Sequence, residues 1–171
     1  MNNFPRVILI TCILTTLFAC TEDNSKTAEA EFMDGVWQLT AWNVSEALDM
    51  NNDGVASNNL LNEISCSNNE ILEFDSSGIA LFNNTFNPSL EIISQNSLLE
   101  SLRANIICNP GVIGAATTYS KNGNIITLGS ETAIISGDQI TIQRKDKLKV
   151  FDADMSKIVV TKDVDAVYTK L

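Results

Sequence analysis

The sequence predicts an all-β chain, an up-and-down antiparallel β-barrel of about eight to nine strands over residues 35–171. Three observations predict it. Short runs rich in β-branched, aromatic and other apolar residues recur from Gly35 to the end of the chain. Gly, Asn, Asp and Pro punctuate them at the spacing of a meander. Helical periodicity is almost absent.

The first strand is Gly35-Val36-Trp37-Gln38-Leu39-Thr40-Ala41-Trp42-Asn43-Val44. Strict alternation places Trp42 and Val44 on one face with Val36, Gln38 and Thr40. Trp37, Leu39 and Ala41 take the other face. One tryptophan is therefore expected at the closed end of the barrel and the other outside it or against a loop. Gly35 lets the chain bend closely beneath Trp37.

Residues 45–65 read as a loop long enough to be functional, with 60–64 as a short helix over the barrel mouth. Residues 70–74 and 79–86 flank the turn Asp75-Ser76-Ser77-Gly78, and Asn87-Pro88 ends the second run. Residues 90–93 form another apolar run. In 98–108, Leu98, Leu99, Leu102 and Ile106 fit a helical face, while Ile106 and Ile107 favour a strand; the segment is read as extended. Asn109-Pro110-Gly111 turns the chain. Lys121-Asn122-Gly123 and Ser136-Gly137-Asp138 each join two strands as hairpins: 115–120 with 124–128, and 131–135 with 139–143. Residues 148–151, 157–161 and 166–170 finish the wall. The first and last strands are expected to pair and close it.

The chain has 171 residues, 44% of them hydrophobic, which is enough for one domain with one core. Its formal charge is −10 and it has no histidine. The charge is lopsided. Residues 20–120 carry fourteen acids and two bases, while 121–171 carry seven acids and eight bases. Read as an acidic chain without basic clusters, it is not expected to bind nucleic acid or to adhere electrostatically to anionic lipid. The acidity reads as solubility.

The start of the chain reads as an address. Residues 7–18 are an apolar run of twelve, too short to span a bilayer and the right length for a signal-peptide core. It ends in Leu17-Phe18-Ala19-Cys20, which resembles the bacterial lipobox, with small Ala19 before the cysteine. The resemblance implies cleavage before Cys20 and a lipid on its thiol. Residues 1–19 are then a lipoprotein signal peptide, 20–34 a polar tether and 35–171 the barrel. Glu22 and Asp23, just after Cys20, look like the surface-export signals of Bacteroidota lipoproteins. The implied place is the outer membrane, lipid-anchored, on its periplasmic or cell-surface face. Cys12 lies within the leader, so Cys66 and Cys108 remain as an even pair in an exported chain, which reads as a disulfide.

Gly35 and Trp37, as Gly-x-Trp opening the first strand, resemble the lipocalin-like domains of bacterial lipoproteins. The pattern extends over 35–171. The stretch 49–70 resembles the connection from first to second strand in flavobacterial lipoproteins. Lipocalins often lay a late arginine over the tryptophan. The late cations here are Lys157, Lys162 and Lys170.

Asp49-Met50-Asn51-Asn52-Asp53-Gly54 is the sharpest local motif. Asp49, Asn51 and Asp53 at positions one, three and five, with glycine at six, resemble the start of an EF-hand calcium loop. Calcium is the one cofactor the sequence suggests. Position twelve is Leu60 where a bidentate acid belongs, leaving Glu63 or Glu46 to swing round. The same letters also describe an Asx-turn loop. Without histidine there is no Ser-His or Cys-His pair, so an enzyme is not expected. Glu70, Glu73 and Asp75 read as edge or rim charges, with Glu70 and Glu73 on opposite faces of a strand.

Two functions follow. One is a lipid-anchored barrel binding a small apolar or amphipathic ligand at the envelope. The other is a filled barrel acting as a surface adhesion, assembly or inhibitory module through the 45–65 loop. A barrel of this size either fills itself with side chains or holds one ligand, and the sequence leaves both open.

Overall fold

The computed structural model describes residues 33–95, 102–109, 111 and 113–171. Cys20, the leader and most of the tether lie outside the described residues. The strands are β1 (Val36–Leu48), β2 (Ser57–Asn59), β3 (Ile71–Phe74), β4 (Ile79–Asn83), β5 (Ser89–Ser94) and β6 (Leu102–Ile107). They continue as β7 (Ala115–Asn122), β8 (Ile125–Leu128), β9 (Glu131–Ser136), β10 (Gln139–Phe151) and β11 (Ile158–Lys170). A single 3-10 turn, Leu60–Asn62, sits between β2 and β3.

Strands β1, β3, β4, β7, β8, β9, β10 and β11 pair in that order, each antiparallel to the next, and β11 pairs back onto β1. This is a closed eight-stranded up-and-down barrel, and closure leaves these strands no open edge for aggregation. The hairpins fall where the turn residues predict them. Gly123, for example, joins β7 to β8 at φ 62°, a conformation glycine adopts without steric cost.

Four features depart from the sequence expectation. First, both tryptophans face inward. Leu39 pairs with Tyr168 and Ala41 with Val167, so Thr40 is a bulge without a partner. One extra residue resets the period-two alternation. Trp42 and Val44 therefore join Trp37 and Leu39 inside, at 3% and 1% exposure for the two indoles. Second, the predicted pairs 139–143 with 148–151, and 157–161 with 166–170, are two single strands of thirteen residues. An irregularity between Arg144 and Leu148, with Asp146 at φ 51°, lets β10 continue through its polar middle.

Third, β5 and β6 leave the wall. They form a hairpin whose β5 runs parallel to the end of β10 at Val150 and Phe151. Fourth, the 45–65 segment is tied down rather than lid-like. β1 runs on to Leu48, and β2 folds back on it. The Asn59 side chain accepts from Trp42 N (2.9 Å) and Leu61 N (3.1 Å), so one residue caps the 3-10 turn and pins it to the first strand.

The three long strands rise beyond the short ones. Within the closed barrel, Trp37, Leu39, Leu72, Ile126, Ile140 and Tyr168 are buried. Above it Trp42, Met50, Leu60, Ile92, Leu148 and Val150 continue the same core. Trp42 meets Phe86 edge-on, with ring centroids 5.2 Å apart, which fixes the 84–88 connection over the upper core.

Candidate functional site

The lower end of the barrel carries the Gly-x-Trp motif. Lys170 Nζ lies 5.5 Å from the centroid of the Trp37 ring, within cation–π range. A Cβ at Gly35 would stand 2.6 Å from Lys170 Cε, and its φ is +139°. The backbone angle calls for glycine, while the Lys170 chain end passes close enough that a side chain here would have to push it aside. Trp37 itself is paired on both sides, with Lys170 on β11 and Leu72 on β3.

A polar chain links Phe86, Glu70, Tyr168, Arg144 and Glu131. Glu70 is fully buried, which corrects its reading as a rim charge. Its Oε2 accepts from Phe86 N (2.7 Å), and its Oε1 accepts a short hydrogen bond from the Tyr168 hydroxyl. Tyr168 in turn accepts from Arg144 Nη2 at 3.4 Å. Arg144 Nε lies 3.7 Å from Glu131 Oε1. Burial raises the Tyr168 hydroxyl pKa well above the ordinary value, and the Glu70 charge adds to the rise. Partners of this kind are what a buried carboxyl requires. Glu73 and Asp75 do stay at the surface. Glu73 accepts from Asn83 Nδ2 (2.7 Å). The Ser77 hydroxyl, then the Ile79 amide, lower the Asp75 pKa.

Arg144 carries this chain to the outside. Beyond Ile142, β10 parts from β9, because their pairing ends at Ile142 with Ala133. An open cleft of about 920 Å³ lies there, bordered by Glu131, Thr132 and Ile134 on one side and Gln143, Arg144 and Lys147 on the other. Thr85 and Lys145 also border it. Lys147 borders a second, smaller pocket of about 210 Å³ as well, lined by Trp42, Pro88, Leu90, Leu148 and Phe151 together with Asn87 and Lys149. A cation-bearing cleft and a smaller recess walled by Trp42, Leu90 and Phe151 therefore adjoin at one residue.

The sequence-predicted sites are placed as follows. Cys66 and Cys108 form a disulfide with Cα atoms 5.4 Å apart. It ties the segment before β3 to the end of β6, beside the 84–88 connection. Asp49, Asn51 and Asp53 are gathered, but onto each other and onto backbone donors. Asp49 accepts from Asp53 N (3.2 Å) and Gly54 N (3.0 Å), Asn51 Oδ1 from Asp53 N (3.0 Å), and Asp53 from Val55 N (2.8 Å). Asn51 Nδ2 donates to Asp53 Oδ2 (3.1 Å). Glu63 is buried and accepts from Met50 N (3.0 Å), and Glu46 pairs with Lys162 (2.6 Å). Neither acid supplies the missing calcium ligand. Among the described residues no three Asp, Glu, Cys or His side chains group as a metal centre would. The loop has the geometry of an Asx turn.

No protein-family model matches the chain, and no curated protein or solved structure matches it either.

Sequence reasoning missed Glu70, Arg144, Glu131 and Tyr168. It also missed a basic cluster: Arg144, Lys145, Lys147 and Lys149 put four bases into six residues of an acidic chain. That density was a legible signal.

Proposed function

We propose that this chain is a lipid-anchored lipoprotein of the cell envelope, held through Cys20, whose lipocalin-like barrel binds a small amphipathic molecule at its rim. The single observation that carries the reading is that an open cleft bearing Arg144, Lys145 and Lys147 adjoins, at Lys147, a recess walled by Trp42, Leu90 and Phe151. An amphiphile needs both surfaces at once. The inward residues of the closed barrel pack against one another, so the rim rather than the interior is the place for a ligand. Gly35, Trp37 and Lys170 sit together as the lipocalin-like resemblance implies, with lysine in place of arginine.

The cleft lies away from the end of the barrel that the tether enters. The tether joins the barrel at Gly35, level with Lys170 on β11. Arg144 pairs with Val164, six residues up that strand, roughly 20 Å away at about 3.3 Å per residue. The filled interior also favours the second reading, a surface module acting through the 45–65 segment.

Native mass spectrometry of the protein gently extracted from the envelope separates the two. The rim reading expects a bound amphiphile of definite mass. Protein that flies without adduct, yet retains a macromolecular partner lost on altering residues 52–58, supports the surface module instead.

A further inference from the structure

We propose that the rim cleft selects its amphiphile by an anionic head group, carboxylate or phosphate, held by Arg144 with Lys145 and Lys147. The inference rests on the rim-binding reading above and adds the chemical class of the ligand.

Arg144 is the starting point. Its side chain is only 15% exposed, yet its contacts are loose: one hydrogen bond of 3.4 Å to Tyr168 and an ion pair of 3.7 Å to a Glu131 that is 42% exposed. A guanidinium has five donors in a planar fork, suited to two parallel bonds to one carboxylate or phosphate. An anion in the cleft completes that fork.

The strand irregularity supplies the other two cations. Pairing with β11 is interrupted between Arg144 and Leu148. Asp146, in the centre of the run, is turned to β11: its N–H donates to Asp163 (2.9 Å) and its carboxylate accepts from the Thr161 hydroxyl. Its negative charge is thus engaged on the neighbouring strand, while Lys145 and Lys147 border the cleft. Neither lysine makes an ion pair among the described residues. Irregularities of this kind re-aim side chains at strand rims. The cleft holds three cations against Glu131 and Asp165, in a chain whose formal charge is −10. The place is therefore a local inversion of sign. The recess of Trp42, Leu90 and Leu148, reached past Lys147, takes the apolar part.

The experiment is isothermal titration calorimetry at neutral pH on residues 20–171, the mature chain of the proposed reading, carrying Cys20→Ser, below the micellar range of each probe. The probes are dodecanoate, dodecyl phosphate, dodecanol, dodecyltrimethylammonium and acetate. Dodecanoate or dodecyl phosphate should bind about tenfold or more tighter than dodecanol. The trimethylammonium probe should bind weakest, and acetate should fail without its chain. R144Q should bring the anions to the level of dodecanol. K145Q/K147Q, at exposed positions, should weaken them and flatten the salt dependence even if R144Q does not fold. Equal binding of dodecanol and dodecanoate, unchanged in K145Q/K147Q, overturns the charge selection and leaves the rim reading standing. Binding by none of the long-chain probes overturns both.

Discussion

Tyr168 decides how Glu70 is tolerated inside the barrel. Y168F deletes the hydroxyl that Glu70 accepts from and is expected to cost about 1–3 kcal/mol, the penalty of a buried polar group losing its partner. The same residue sets an alkaline limit. Its hydroxyl pKa is raised in the fold, by burial first, so the unfolded chain releases the proton before the folded chain does. Its contribution to stability is full below about pH 10, the unfolded value, and falls as pH rises beyond it. Denaturant unfolding across pH 8–11 checks this: wild type should lose stability on the alkaline side, and Y168F should lose less. The tryptophans give a second test at this scale. Both indoles are buried, so W37A and W42A should each cost about 3–5 kcal/mol in thermal or chemical unfolding. A small effect of W42A would contradict the Thr40 bulge that turns it inward.

At the scale of elements, the disulfide joins the cover of the upper core to the β5–β6 hairpin. It closes a sequence separation of 42 residues, worth about 4 kcal/mol in the chain-entropy model. C66S/C108S should lower the unfolding midpoint while keeping the barrel circular-dichroism signature, because none of the eight wall strands contains either cysteine. This level was also the most legible in the sequence. Turn residues such as Lys121-Asn122-Gly123 and Ser136-Gly137-Asp138 mark real hairpins, since the backbone angles they favour are local properties. Thr40 carries no such mark. A bulge is imposed by pairing with β11, a strand more than a hundred residues later, so alternation alone assigned Trp42 to the wrong face. The long strands β10 and β11 were cut in two for the same reason: their polar middles look like turns until a partner strand is present. The candidate cleft was less legible still. Arg144 and Glu131 meet just beyond the last β9–β10 pair, Ile142 with Ala133, and Glu70 reads as a surface acid until Tyr168 and Phe86 are brought to it.

At the scale of the molecule, the proposed lipid on Cys20 would hold a closed barrel and its rim cleft at the envelope. C20S should abolish lipid attachment, leaving the chain unlipidated in the periplasm or uncleaved at the inner membrane; intact mass after membrane fractionation reads this directly, and a diacylglycerol-bearing C20S protein would contradict it. The lopsided charge acquires a place in the same picture. Acids dominate residues 20–120, while Arg144, Lys145 and Lys147 of β10 gather at the cleft. The central claim is that the rim, rather than the interior or the 45–65 segment, receives the ligand. Its most direct test is a nitrogen-15 amide NMR titration of the C20S chain with dodecanoate. Rim binding predicts saturable shifts clustered at Thr132, Gln143, Arg144, Lys147 and Leu148, with the Asp49–Asp53 amides unmoved; shifts confined to residues 49–59, or none anywhere, would contradict it.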